Sequence, residues 1–543
     1  MRADVDQIGC YMNGFGGELV AIVKPGNAAV PTVICGQGTA PERATINAYR
    51  DRGFQLIPDT GVMSAVVPGT FGALMLMLRD FGTFEMETVM EAAVAYAGGG
   101  FPVSWEAAKF IGDSAELFRT RWTSSAAIYL PGNQVPKPGS VLTNRPLGDT
   151  LSQLTKDAKC AGSTREARID AAQRSFYSGF VAERLGRFTA TYHEHDRGTG
   201  RSDRSFLTAD DLERWRPQIE PAASIPYEAW QVFKPGPWAQ GPVLLQTLSI
   251  LKNCGIGTSE PLSPEFIHVF AEATKLAFSD REAWYGDPDF VDVPLTYLLS
   301  DAYGQERSRL ITSQGSQELR PGAPAARSPR LPVYSVGESP RKLDTAAKPR
   351  ERDTCHINVI DKWRNVVAVT PSGGWIQGSP VVDGLGFALS TRAQMFWLQE
   401  GLASSLAPRK RPRTTLSPTL AVSSDDRILA LGCRGADNSD QWLTQFLIHF
   451  VNFKTGLQQG VDTPVFASEH WPNSTYPRNA LPGRLTIDRS LESSVGAQLA
   501  AKGHEVRFAP EHKLGRTCAA LLTKDVFRAA VTGRLPQAAA VGR

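Results

Sequence analysis

Polar and apolar residues alternate from Thr354 to Ile360. Cys355, Ile357 and Val359 fall on one face, and Thr354, His356 and Asn358 on the other, which is the period of a strand. Asp361-Lys362-Trp363-Arg364 supplies a turn, and Asn365-Val366-Val367-Ala368-Val369-Thr370 returns as a β-branched run. Pro371-Ser372-Gly373-Gly374 ends that second strand with small, flexible residues. The far end of a short hairpin lies opposite its start, so an antiparallel return sets Ser372 beside Thr354. Elsewhere the period is helical. Ser263-Pro264 reads as an N-cap and first-turn proline, followed by a stripe of Phe266, Val269, Phe270, Ala273, Leu276 and Ala277. Leu491, Val495 and Leu499 form another stripe, closed by Gly503 as a C-terminal cap. From about Ser313 to Arg352 neither period is present; Pro, Arg, Ser and Ala predominate, and a flexible segment is expected. The chain shows no internal repeat and no apolar run long enough to span a membrane. Spacing alone licenses only an α/β or α+β fold.

Composition narrows the class. The 543 residues exceed the length at which one core keeps growing, so a large layered core or several domains are expected. At 42% hydrophobic, 21% charged and a net charge of +3, the chain is ordinary globular material and argues for neither a nucleic acid nor a membrane partner. The one dense basic run, Arg409-Lys410-Arg411-Pro412-Arg413, reads as a solvated loop or pocket rim in preference to a targeting motif. It leads into Thr414 and Thr415, where it would help attract an anionic substrate. Seven cysteines without paired spacing argue against a disulfide framework or zinc site and fit a reducing compartment. His193-Glu194-His195 offers two ligands without a third, and an exposed polar loop is the better reading; no metal is expected. Asn13-Gly14-Phe15-Gly16-Gly17 lacks the lysine of a phosphate loop and reads as a tight, close-packed turn. No charged-then-apolar secretory signal opens the chain.

The chemistry points to Thr354. A threonine hydroxyl is a weak nucleophile by itself. If the Asp353–Thr354 bond breaks, the new α-amine becomes a base beside that hydroxyl, so one residue carries both roles. A free α-amine with a pKa near ~8 accepts a proton readily at neutral pH. Local sequence alone favours a plain strand start at Thr354; the rest of the chain reverses that preference.

Thr354-Cys355-His356-Ile357-Asn358-Val359-Ile360-Asp361 resembles the start of the small subunit of the γ-glutamyltranspeptidases, members of the N-terminal-nucleophile hydrolases. Arg411-Pro412-Arg413-Thr414-Thr415-Leu416-Ser417-Pro418-Thr419 and Gly432-Cys433-Arg434-Gly435-Ala436 resemble later small-subunit motifs. Gly38-Thr39-Ala40-Pro41, Val67-Pro68-Gly69-Thr70, Ala271 to Lys275 and Gly286 to Val291 resemble large-subunit segments, in the same order. The resemblance implies an α+β fold, a four-layer α-β-β-α sandwich. It implies a large portion over 1–353 and a small catalytic portion over 354–543, with self-cleavage between Asp353 and Thr354 and the two fragments remaining associated; a dimer of such pairs stays open. Thr354 is the implied nucleophile, Ser372 its hydrogen-bond partner, and the N–H groups of Gly435 and Ala436 the oxyanion donors. Ala436 fits there if its φ is below zero. Thr414 and Thr415 are implied carboxylate binders, and no cofactor is implied. The segment from Met1 to Val23 resembles an internal family segment, so the first strand and helix of the family are expected to be missing, leaving an open sheet edge. A cytoplasmic location is expected, with a periplasmic one left open.

The departures fall on substrate recognition. Gln37 stands where the family has an arginine for the glutamyl α-carboxylate, and an amide supplies no charged fork. Met395 stands where an aspartate holds the α-ammonium, and nearby Arg392 repels a cation. Gly374 replaces an asparagine near the nucleophile. Losing one member of a buried charge pair costs about 2–5 kcal/mol, so γ-glutamyl preference is expected to be lost. The implied activity is amide hydrolysis or acyl transfer on a small molecule. An amidase or acylase for another amide, oxamate-like or a β-lactam side chain, is one alternative. A processed but inactive binding protein is another.

Overall fold

Val20 and Ile22 point to one side of the strand Glu18–Lys24, Leu19, Ala21 and Val23 to the other, and all five are buried. A strand buried on both faces belongs in the middle of a layered core. The structure, a computed structural model, describes residues 11–195, 202–338, 354–511, 513–524, 526–534 and 538–542. In it Glu18–Lys24 is the central strand of a five-stranded antiparallel sheet ordered Ile357–Ile360, Val366–Ser372, Glu18–Lys24, Thr32–Gly36, Gln218–Pro221. Among the described residues its edge strands are Ile357–Ile360 and Gln218–Pro221. A second antiparallel sheet runs Val526–Val531, Thr517–Thr523, Ile428–Cys433, Thr419–Ser423, Trp230–Lys234, Ala223–Tyr227.

Alternation decides what each face meets. Val20, Ile22, Val33 and Ala368 of the first sheet pack against Leu420, Ile428, Ala430 and Leu522 of the second. The outer residues Leu19, Ala21 and Val369 pack on Ala73 and Leu76 of the helix Thr70–Phe81. Helices Met86–Gly99, Arg145–Cys160, Arg165–Tyr177 and Phe180–Thr191 share one core with that helix. Val232, Leu429 and Leu431, on the far face of the second sheet, pack on helices Pro242–Leu251, Pro264–Trp284 and Asn438–Val451. The layers are therefore helix, sheet, sheet, helix: the α+β sandwich expected.

Two expectations need correction. The helix Pro264–Trp284 begins as read, with Ser263 Oγ accepting from the Phe266 N–H. It is buried nearly all round, however, including Glu272, Lys275, Asp280, Arg281 and Glu282. Charges survive there because they are paired: Lys275 meets Glu272 at 2.6 Å and Arg281 meets Glu282 at 2.7 Å. Residues 313–338 are not a structureless linker either. The Ser316 N–H donates to Glu272, the Gly322 N–H donates to Asp280, and Trp284 Nε1 donates to the Gly322 carbonyl. Buried acceptors on the helix hold this segment without any apolar periodicity, which is why the sequence pattern missed it. The rest of the expected linker, and Asp353 itself, lie outside the described residues.

Candidate active site

The hairpin brings its ends together as the pairing rule requires. Thr354 bridges Ser372 across the two strands, and Thr354 Oγ1 donates to Ser372 Oγ at 3.2 Å. The Cys355 N–H donates to the Pro371 carbonyl at 3.2 Å. Period two then places Thr354, His356 and Asn358 on the inter-sheet face with Ser372, Thr370 and Ala368. Glu18 pairs with Ser372 on the next strand. Leu19 pairs with Gly36, the last residue of its strand, and Gln37 follows directly after it.

His356 is the imidazole nearest in sequence to Thr354, but its geometry excludes it as a base. Nε2 lies 2.9 Å from Asn358 Oδ1, an acceptor, and so carries the proton; Nδ1 accepts from Thr370 Oγ1 at 2.7 Å. Burial, aided by the nearby Lys234, pushes its pKa down to about 4 despite the Asn358 hydrogen bond. A neutral imidazole with both nitrogens engaged leaves the α-amine that cleavage would create as the available base. Replacing Ser372 by Ala is expected to slow precursor processing by about ten- to hundredfold, from loss of one orienting contact worth roughly 1–3 kcal/mol. Ser372→Thr keeps the hydroxyl and is expected to be tolerated. A time course of precursor disappearance measures both.

The turn after Ile428–Cys433 carries the candidate oxyanion donors. Gly435 has φ +152° and Ala436 has φ +51°, so the condition set above for Ala436, a φ below zero, is not met and the alanine is held in a left-handed conformation. A Cβ on Gly435 would lie 2.5 Å from Trp442 Cζ3, so only glycine fits. The helix Asn438–Val451 starts immediately after, and its N-terminal dipole favours negative charge at this turn. A buried network holds it. Gln240 Nε2 donates to the Ala436 carbonyl at 3.0 Å, Arg281 Nη1 reaches Gln240 Oε1 at 3.2 Å and Asp437 Oδ1 at 2.6 Å, and Ser474 donates twice to Asp437. Burial opposes ionisation of Asp437, but Arg281 and Ser474 hold its carboxyl below the usual range. Sequence reading missed Gln240, Arg281, Asp437 and Ser474. They come from four separate segments, and no local spacing links them.

The expected recognition residues are buried. Gln37 is 1% exposed and donates to its neighbour's carbonyl at Gly38. It lines a cavity of about 160 Å³ with Cys35, Asp287 and Arg411, and neither Thr354 nor Ser372 borders that cavity. Met395 lies in the short helical turn Arg392–Met395, with its backbone carbonyl held by Arg478 Nη1 at 2.7 Å. Arg392 pairs with the buried Glu18 at 3.4 Å, a partner the sequence did not suggest. Thr414 is fully buried, and its hydroxyl accepts from the Leu416 N–H; Thr415 is also buried. The basic run is not a solvated loop, although Arg409 and Arg411 line a cavity as a pocket rim would. Arg411 pairs with Asp287 at 2.6 Å and Arg413 with Glu282 at 2.6 Å, Lys410 is buried, and only Arg409 is exposed. Its buried arginines are paired within the core, while Arg409 stays exposed at the cavity that Gln37 lines.

The glycine-rich segment forms a tight turn, Gly17 N–H to Gly14 carbonyl at 2.9 Å. Glu194–His195 is a two-residue strand against Ser202–Asp203 and not a loop. Among the described residues no cluster of His, Cys, Asp and Glu is placed to hold a metal ion.

Four imidazoles make the fold sensitive to acid. Burial lowers His356 and His449 to about 4, and His470 and His504 to about 3, from an ordinary value of 6.5. Between those values the unfolded chain binds more protons than the folded one, so stability falls as pH drops from 6.5 toward 4. Denaturation midpoints measured across that range are expected to decline with falling pH and to be flat with respect to these groups above it.

Comparison with known proteins agrees with this geometry. The family model Gamma-glutamyltranspeptidase matches residues 7–542. The glutathione hydrolase-like YwrD proenzyme of Bacillus subtilis (strain 168) is 26% identical over 521 residues, covering 95% of this chain and 88% of that protein. The Acylase ACY 1 proenzyme of Pseudomonas sp. (strain V22) is 27% identical, covering 88% and 77%. Among solved structures, that of LmbA2991T421A superposes with a TM-score of 0.91 at 39% identity, covering 99% of this chain and 92% of the other. The match along nearly the whole chain, on a helix–sheet–sheet–helix sandwich, makes this chain a divergent member of the γ-glutamyltranspeptidase family of amide-hydrolysing and acyl-transferring N-terminal-nucleophile enzymes.

Proposed function

We propose that this chain cleaves itself before Thr354 and then hydrolyses, or transfers the acyl group of, a small amide other than a γ-glutamyl one. In processing, Thr354 Oγ attacks the Asp353 carbonyl carbon, the peptide C–N bond breaks, and the freed nitrogen becomes the α-amine. Water then hydrolyses the ester, leaving a carboxylate on Asp353. In turnover the α-amine takes the Thr354 hydroxyl proton as Oγ attacks the substrate carbonyl. The N–H groups of Gly435 and Ala436 receive the oxyanion. The departing amine leaves with the proton, and water or another amine takes the acyl group from the ester. The cut pieces stay together, because Glu18–Lys24 of one pairs along its length with Val366–Ser372 of the other.

The observation that carries the substrate reading is Arg392 Nη1 lying 3.9 Å from Met395 Sδ. An α-ammonium brought to Met395 would meet a thioether and the Arg392 guanidinium, the Glu18 carboxylate there being already paired with that guanidinium. The relative named above as an acylase proenzyme bears an acylase name within this family. γ-Glutamyl-p-nitroanilide is expected to be turned over on the order of a hundredfold less efficiently than the best acyl anilide lacking an α-ammonium. A panel of acyl anilides assayed with processed protein decides it. Efficient γ-glutamyl turnover would return the chain to ordinary glutathione chemistry. Arg392 also predicts that Met395→Asp will not restore that activity, since the new carboxylate would be captured by the guanidinium.

A further inference from the structure

Glu18 places a carboxylate where the pattern calls for a core residue. It is fully buried, on the inter-sheet face directly opposite Ser372. Its Oε1 accepts from Ser390 Oγ, and its Oε2 faces Arg392 Nε and Nη2, both at 3.4 Å. Gly373 turns through φ +78°, and a Cβ there would lie 2.2 Å from Glu18 Oε2. The carboxylate thus fills the space beside the residue that follows Ser372, whose hydroxyl touches Thr354. Arg392 is buried too, with its guanidinium 5.4 Å above the Trp375 ring. Among the described residues its remaining side-chain hydrogen-bond contact is the weak Met395 acceptor, and charge-assisted bonds of optimal strength are shorter than its pairing with Glu18. The guanidinium therefore keeps donor capacity while its charge is balanced.

We propose that Glu18 is a specificity-determining residue: by balancing Arg392 it sets the charge of the acyl group accepted at Thr354. This rests on Thr354 being the nucleophile. Burial pushes the Glu18 carboxyl up and Arg392 opposes that rise; with Glu18 ionised against Arg392 the pair carries no net charge. An acyl chain ending in an uncharged acceptor, such as a carboxamide or keto oxygen, meets Arg392 without importing net charge. A carboxylate must compete with Glu18, and an ammonium faces Arg392.

The test uses isosteric pairs that differ only in charge, the p-nitroanilides of glutaramic and glutaric acids and of succinamic and succinic acids. Calorimetric binding of glutaramate and glutarate to the processed protein gives a readout that needs no turnover. Glu18→Gln is expected to raise the preference for carboxylate over carboxamide by roughly tenfold or more, and Arg392→Gln to lower it by a similar factor. The double variant is expected to return within about threefold of the parent, because the two charges are coupled. Opposite signs that cancel support the charge balance, whereas unchanged preferences, or shifts of one sign, overturn it. If Glu18→Gln does not fold, the double variant is compared with Arg392→Gln alone, and a difference of less than about threefold overturns the proposal. Opposite shifts in binding with no anilide cleavage would uphold Glu18 and refute the hydrolase reading. Cleavage with unchanged preferences would do the reverse.

Discussion

Thr354→Ala is expected to leave the protein as one chain, while the parent separates under denaturing conditions into residues up to 353 and residues 354–543. The effect is all or none, because alanine has no oxygen to attack the preceding carbonyl. Thr354→Ser keeps that oxygen and is expected to process, more slowly, since it lacks the methyl group that restricts χ1. The hairpin supports both expectations: the hydroxyl already lies 3.2 Å from Ser372 Oγ on the strand where the new terminus would sit. Denaturing electrophoresis of freshly made protein reads the outcome. Cleavage at this bond in Thr354→Ala would assign it to another agent.

The second large effect concerns the turn at Gly435 and Ala436. Gly435→Ala would drive a methyl to 2.5 Å from Trp442 Cζ3, a ring buried in the core behind the turn. The ring cannot move without opening that core, so the backbone must shift instead. A displaced oxyanion donor costs about 10²–10³ in rate, and processing is expected to slow on that order. Ala436→Gly should behave oppositely. Ala436 sits at φ +51°, a left-handed conformation that costs a side-chain-bearing residue about 1–2 kcal/mol, partly offset by the greater unfolded-state entropy of glycine. Processing should be retained, with stability unchanged or raised by up to about 1 kcal/mol. Precursor half-life and denaturation midpoint, measured on both variants, separate these two outcomes.

The hairpin and its faces were legible in the sequence because period-two alternation survives from Thr354 to Ile360 and local pairing does the rest. The helix starting at Ser263 was legible by its cap, but not its burial. Nothing in a single sequence shows that Glu272, Lys275, Arg281 and Glu282 find partners inside the protein. The same blindness produced the misreading of Arg411 and Arg413 as solvated, since their partners Asp287 and Glu282 lie more than a hundred residues away. Glu18 was overlooked because one acidic residue before an apolar run looks like a strand's exposed end. It takes register with Ser372 and the return of Arg392 through a distant turn to bury it. The sign of φ at Ala436 was beyond reach for a related reason: besides its own backbone bonds, the turn is held by Gln240 and Arg281, which come from distant segments.

The most direct test of Thr354 as the acyl carrier is mass spectrometry of the small fragment, acid-quenched during turnover of a slow anilide. The expected result is a fragment beginning Thr-Cys-His that carries one acyl group on its N-terminal peptide. A different N-terminus, or an acyl group mapped elsewhere while turnover proceeds, would contradict it.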